Sequence, residues 1–137
     1  MIEQHSLTIQ TNGRATIEIT REVEALIRAS DIETGLCHVF IHHTSASLII
    51  TENADSNVLR DLENYMEKLV TDGDPAYIHD QEGPDDMAAH IRSVLTQTEI
   101  TIPIQQGRLA LGTWQGLFLW EHRYRPHRRR LTITLHG

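Results

Sequence analysis

Leu36-Cys37-His38-Val39-Phe40-Ile41-His42-His43, then Thr44-Ser45-Ala46, then Ser47-Leu48-Ile49-Ile50-Thr51-Glu52, reads as two strands around a hydroxyl-rich turn. Neighbouring side chains of a strand point to opposite faces, so His43 shares a face with Val39 and Ile41, and His42 with His38 and Phe40. Two imidazoles and three hydroxyls at the end of an apolar strand are costly unless each is partnered, which marks this turn as a candidate site.

Working outward, Leu7, Ile9 and Thr11 alternate with polar residues, as do Ala15, Ile17 and Ile19. Asn12-Gly13 between them predicts a hairpin. Val23, Leu26 and Ile27 fit a short amphipathic helix closed before Gly35. A second helix is expected from about Asp55 to Val70, with Val58, Leu59, Leu62, Tyr65, Met66 and Leu69 on one stripe and Asn53 or Asp55 as its cap. Thr71 to Pro84 is turn-rich and predicts a long surface loop. Asp85 is expected to cap a third helix over Asp86 to Leu95. Strand patterns follow over Glu99–Pro103, Arg108–Leu111, Trp114–His122 and Arg130–His136, the last with Leu131, Ile133 and Leu135 inward. The class is α+β, one domain over residues 1–137, dominated by antiparallel sheet.

Composition narrows the function. The chain has 137 residues, one cysteine, nine histidines and a formal charge of −7. A lone Cys37 makes no internal disulfide, and no basic-then-apolar leader opens the sequence, so a cytoplasmic protein is expected. No apolar run approaches the roughly 20 residues of a membrane helix. The acidic balance argues against nucleic acid as a partner. Carboxylates gather between Glu52 and Asp86, while Arg123, Arg125, Arg128, Arg129 and Arg130 crowd one later segment.

Three places carry potential chemistry. Asp86 and His90 are four apart on the third helix and share a face, where a carboxylate can fix an imidazole tautomer and leave the other nitrogen for a metal or a proton. The plainer reading is a first-turn acid beside a solvated histidine. His79-Asp80 lies on the loop leading into that helix. Glu121 shares a face with Leu117 and Leu119, opposite Trp114, Phe118, Trp120 and His122. It is either buried, needing a cation, a metal or a raised pKa, or it emerges at the strand end to pair with Arg123 or Arg125. The arginines either clamp phosphate or form a solvated hairpin. Zinc-ribbon, zincin, Walker and nucleophile-elbow patterns are absent, and Cys37 reads as packing.

His43-Thr44-Ser45-Ala46-Ser47-Leu48, Glu52-Asn53-Ala54-Asp55, His79-Asp80 through Asp85-Asp86-Met87 to His90, Gly112-Thr113-Trp114-Gln115 and Glu121-His122-Arg123 occur in this order. Together they resemble the YjbQ-like family, also described as secondary thiamine-phosphate synthases, over essentially the whole chain. The resemblance implies a compact β-sandwich assembled as a homotrimer. It implies a site in which His43, His79 and His90 hold a divalent metal, zinc or magnesium, with His43, Asp86 and Glu121 as catalytic groups. It further implies weak transferase activity joining a hydroxymethylpyrimidine diphosphate to a thiazole phosphate. For such a phosphorylated heterocycle, Thr44, Ser45 and Ser47 would bond phosphate oxygens or ring edges. Trp114 would stack on a ring, and Arg123 would help neutralise the leaving diphosphate. The rival expectations are metal-dependent hydrolysis of phosphate esters in the same pocket and a non-enzymatic trimer with a structural metal. His42 and Ser56 depart from the family pattern, so no role is carried onto His42.

Overall fold

The computed structural model describes residues 1–137. Its elements run β1 (Ile2–Thr11), β2 (Ala15–Glu18), α1 (Thr20–Ser30), β3 (Thr34–Ile41), β4 (Ala46–Glu52), α2 (Ser56–Leu69), α3 (Asp86–Leu95), β5 (Glu99–Gln105), β6 (Arg108–Leu109), β7 (Gln115–Glu121) and β8 (His127–His136). One sheet has the order β1-β8-β3-β5-β6 and the other β2-β7-β4. All pairings are antiparallel. This is the expected α+β architecture, a β-sandwich with three helices.

Strand alternation decides what lies inside. Leu131, Ile133 and Leu135 of β8, Cys37, Val39 and Ile41 of β3, and Ile100, Ile102 and Ile104 of β5 face the interior from one sheet. Leu48, Leu117 and Leu119 meet them from the other, and Val23 and Ile27 of α1 pack into the same core. Burying each large aliphatic side chain contributes about 1.5–3 kcal/mol, so this shared interior holds the two layers together.

The one hairpin expected from the sequence, β1 with β2, does not form. β1 pairs with β8 from Ile2↔His136 to Thr11↔His127, while β2 pairs with β7 from Ala15↔Glu121. Gly13, at a φ of +127°, turns the chain out of one sheet and into the other, a conformation open to glycine. Likewise β3 and β4 belong to opposite sheets, and residues 42–45 cross between them. Alternation gives each segment its inward face but not its partner, and long registers with β8 and β7 outcompete short turns.

The third layer sits on the outer face of β7. Trp120 packs there with Met66 and Val70 from α2 and its C-cap, and with Ala88 of α3. Strand β7 is therefore covered on both sides, as its pattern predicts. The α2 stripe is narrower than expected: Met66 is buried, but Tyr65 and Leu69 are exposed. Asp55 does cap α2, accepting from Asn57 N at 2.9 Å. Asp85 makes no such cap on α3, because its carboxylate is committed to Arg123 and to the Tyr124 amide. No helix is long and apolar enough to cross a membrane.

Candidate metal centre

The turn-rich loop before α3 is tied down from outside. Arg14 grips Asp72 with two hydrogen bonds of 2.6 and 3.0 Å, and its guanidinium lies 4.3 Å from the Tyr124 ring centroid. The base of the loop closes through Gly73 N donating to Pro84 O at 2.8 Å. These contacts bring His79 back over the first turn of α3.

There it meets Asp86. Asp86 Oδ2 is 2.8 Å from His79 Nε2 and 3.3 Å from His90 Nε2. The other carboxylate oxygen, Oδ1, accepts from Arg123 Nη1 at 2.5 Å. Arg123 also donates through Nε to Asp85 at 2.9 Å and through Nη2 to the Glu82 carbonyl at 3.0 Å. The guanidinium thus fixes one oxygen of a buried carboxylate and leaves the other aimed at two imidazoles. Burial alone would raise the Asp86 pKa. The His79 hydrogen bond and the charge of Arg123 outweigh it and hold the pKa below the usual carboxylate range.

The ligand atoms of His79, Asp86 and His90 all lie within 4.8 Å of one another. Three ligands at about 2.1 Å around a tetrahedral ion stand roughly 3.4 Å apart, so small side-chain shifts would close this group on a metal. Asp86 is buried, while His79 is exposed and His90 half-buried, which leaves one side open. A cavity of about 330 Å³, lined by Tyr77, His79, Asp80 and Met87 among others, adjoins the group through His79.

A second polar cluster sits where β7 ends and β8 begins. Glu121 is fully buried and accepts from Arg129 Nε at 2.7 Å and Nη2 at 2.5 Å, and from Thr11 Oγ1 at 2.6 Å. Arg129, 3% exposed, also donates through Nη2 to the Ser45 carbonyl and hydroxyl. Burial pushes the Glu121 carboxyl up, but these donors outweigh it and keep it ionised. Glu121 Oε2 accepts from Arg123 N at 3.0 Å, so the two clusters adjoin through one residue.

Of the expected site residues, the fold brings together His79, Asp86, His90 and Arg123. His43 stands apart within the chain. Its Nε2 accepts from Arg130 N at 2.8 Å and its Nδ1 faces the Arg129 guanidinium, leaving Asp86 as the third member of the metal-type group. Thr44 and Ser45 line a pocket beside His43. Ser47 is buried, its hydroxyl taken by His122 and Thr96. Trp114 is 63% exposed and lines neither cavity. Glu121 is buried, as one of the two expectations has it, but its cation is Arg129 rather than Arg123 or Arg125. Sequence reasoning misses that pairing. The only local hint is that Arg129 shares the inward face of Leu131 and Ile133. The arginine segment divides, with Arg123 and Arg129 turned inward and Arg125, Arg128 and Arg130 exposed.

A two-sheet α+β sandwich carrying an acid–histidine group on its outer helical layer defines the class of protein. A family model described as UPF0047 protein YjbQ-like matches residues 5–137, and the chain belongs to that family. It is 52% identical over 134 residues to a UPF0047 protein of Synechocystis sp., covering 98% of this chain and 91% of that one. It is 43% identical over 135 residues to the UPF0047 protein YjbQ of Salmonella typhimurium, covering 98% and 97%. Among solved structures, a conserved hypothetical protein from Thermus thermophilus superposes with a TM-score of 0.87 at 33% identity, over 96% of this chain and 99% of that one. A YbjQ-like protein of unknown function from Sulfolobus solfataricus shares the fold, with a TM-score of 0.85 at 22% identity over 98% of each chain.

These relatives correct the expected activity. Their names give a family and no reaction, and thiamine-phosphate synthesis appears in none of those names. The expected transfer between a pyrimidine diphosphate and a thiazole phosphate is therefore set aside.

Proposed function

We propose that the protein binds a divalent metal ion through His79, Asp86 and His90, in a centre open to an exogenous ligand from the adjoining cavity. The observation that carries this reading is the Asp86 carboxylate, with one oxygen fixed by Arg123 and the other directed at two imidazole nitrogens. Two imidazoles and one carboxylate suit zinc and its transition-metal neighbours better than magnesium, which prefers oxygen ligands and retained water. When bound, such an ion supplies Lewis acidity. Three protein ligands with an open side are the arrangement of a centre that exchanges ligands, in contrast to a closed structural site. Arg123 orients the Asp86 carboxylate, and the Arg14–Asp72 clamp holds the loop that delivers His79.

Competition with a chromophoric chelator measures the affinity directly. The wild-type chain is expected to take up one zinc ion. His90→Ala, altered at a half-buried position of α3, is expected to bind at least about 100-fold more weakly, since even outer-sphere partners of metal ligands are worth 10–100-fold. Arg123→Ala is expected to lose about 10–100-fold by releasing the carboxylate. Equal zinc affinity in wild type and His90→Ala contradicts the reading.

A further inference from the structure

We infer that His43 and Arg129 form a binding site for a small oxyanion, a carboxylate or phosphate, where the chain crosses from β3 to β4. Proton placement on His43 leads there. The Arg130 backbone N–H donates to His43 Nε2 at 2.8 Å, so that nitrogen carries a lone pair. A neutral imidazole must then hold its proton on Nδ1. Burial, with the charge of Arg129 next, holds the His43 pKa below its ordinary value, in keeping with a neutral ring.

Yet Nδ1 lies 3.4 Å from Arg129 Nη1, which is itself a donor. Two N–H groups face one another without an acceptor between them. The remaining Arg129 donors are engaged, Nε and Nη2 by Glu121 and Nη2 also by Ser45. Nη1 therefore holds the unmatched donor capacity of a side chain that is 3% exposed. A cavity of about 420 Å³ opens beside these atoms, lined by His43, Thr44, Ser45, Thr98 and Arg129 among others. Ser45 Oγ accepts from Arg129 Nη2, so its own proton is free to donate into the same space. An oxygen seated between Nδ1–H and Nη1–H satisfies both donors, and a second oxygen of the same group can take the Ser45 or Thr44 hydroxyl. Glu121 already balances the Arg129 charge. Recognition accordingly rests on converging donors, the geometry that suits a multi-oxygen anion.

Long-range proton–nitrogen NMR of the full ¹⁵N-labelled chain tests this, with chelator present so that the acid–histidine group plays no part. His43 is expected to carry its proton on Nδ1 and to leave Nε2 bare. Inorganic phosphate and acetate are then titrated separately. Saturable movement of the His43 Nδ1 proton is expected with at least one of them, and the tighter of the two identifies the source class. Followed by the Ser45 amide shift, affinity is expected to fall about ten-fold in His43→Phe. Ser45→Ala, which keeps the imidazole, should weaken binding several-fold and covers the case that His43→Phe does not fold. A proton on Nε2, no saturable shift with either anion, or unchanged affinity in both variants overturns the proposal.

Discussion

Glu121→Gln is expected to cost about 3–5 kcal/mol of folding stability, the range found when one partner of a buried ion pair is removed. The amide keeps the size of the carboxylate but leaves the Arg129 guanidinium, 3% exposed, without a counter-charge. It also weakens the acceptors for Thr11 Oγ1 and Arg123 N. Against a typical total of about 5–15 kcal/mol, this removes a large share of the stability. Urea unfolding followed by tryptophan fluorescence reads it as a lower midpoint at unchanged slope. Replacing both partners with apolar residues of similar volume, Glu121→Leu with Arg129→Met, should recover much of the loss. A loss below about 1 kcal/mol for the single variant would mean that the pair is solvated.

His122 sets the second large effect, in the acid limb of stability. The ring is fully buried beside Trp120, and its Nε2 pairs with Ser47 Oγ at 2.8 Å. Burial first, and then the charges of Arg92, Arg14 and Arg129, push its pKa down to about 3. Below the ordinary imidazole pKa of about 6.5 the unfolded chain binds a proton that the native state refuses. Stability is therefore full above that pH and falls as pH drops toward 3, by about 1.4 kcal/mol per pH unit and of order 5 kcal/mol over the window. His43, lowered for related reasons, acts with the same sign. Asp85, Asp86 and Glu121, held below their usual range, give up their contributions only at lower pH. In denaturant midpoints taken between about pH 6.5 and 4.5, His122→Gln should lose close to one proton from the slope. An unchanged slope would place the titrating group elsewhere.

Much of the layer structure was legible because alternation and helical period are local properties. Leu131, Ile133 and Leu135 announce the inward face of β8, and α3 has the predicted bounds. Asp86 and His90 meet because four residues make about one helical turn. Partner choice was not local. Asn12-Gly13 is a hairpin signal in isolation, yet β1 finds a longer register with β8, and residues 42–45 join opposite sheets. The same holds at the site. His79 reaches Asp86 because Arg14 clamps Asp72 and Gly73 closes on Pro84, contacts that no spacing rule contains. Asp85 looks like a helix cap in the sequence but serves Arg123 and Tyr124 instead. The family resemblance implies that His43 is a metal ligand. Its direction, however, is set by Arg129 and Arg130, which arrive from the far end of the chain.

X-ray absorption at the zinc edge, on the full chain loaded with one equivalent of zinc, tests the metal centre most directly. A first shell of nitrogen and oxygen only, near roughly 2.0–2.1 Å, is expected, with the outer-ring scattering of two imidazoles, reduced to one in His90→Ala. A sulfur neighbour near about 2.3 Å, or a two-imidazole signature that survives in His90→Ala, would contradict it.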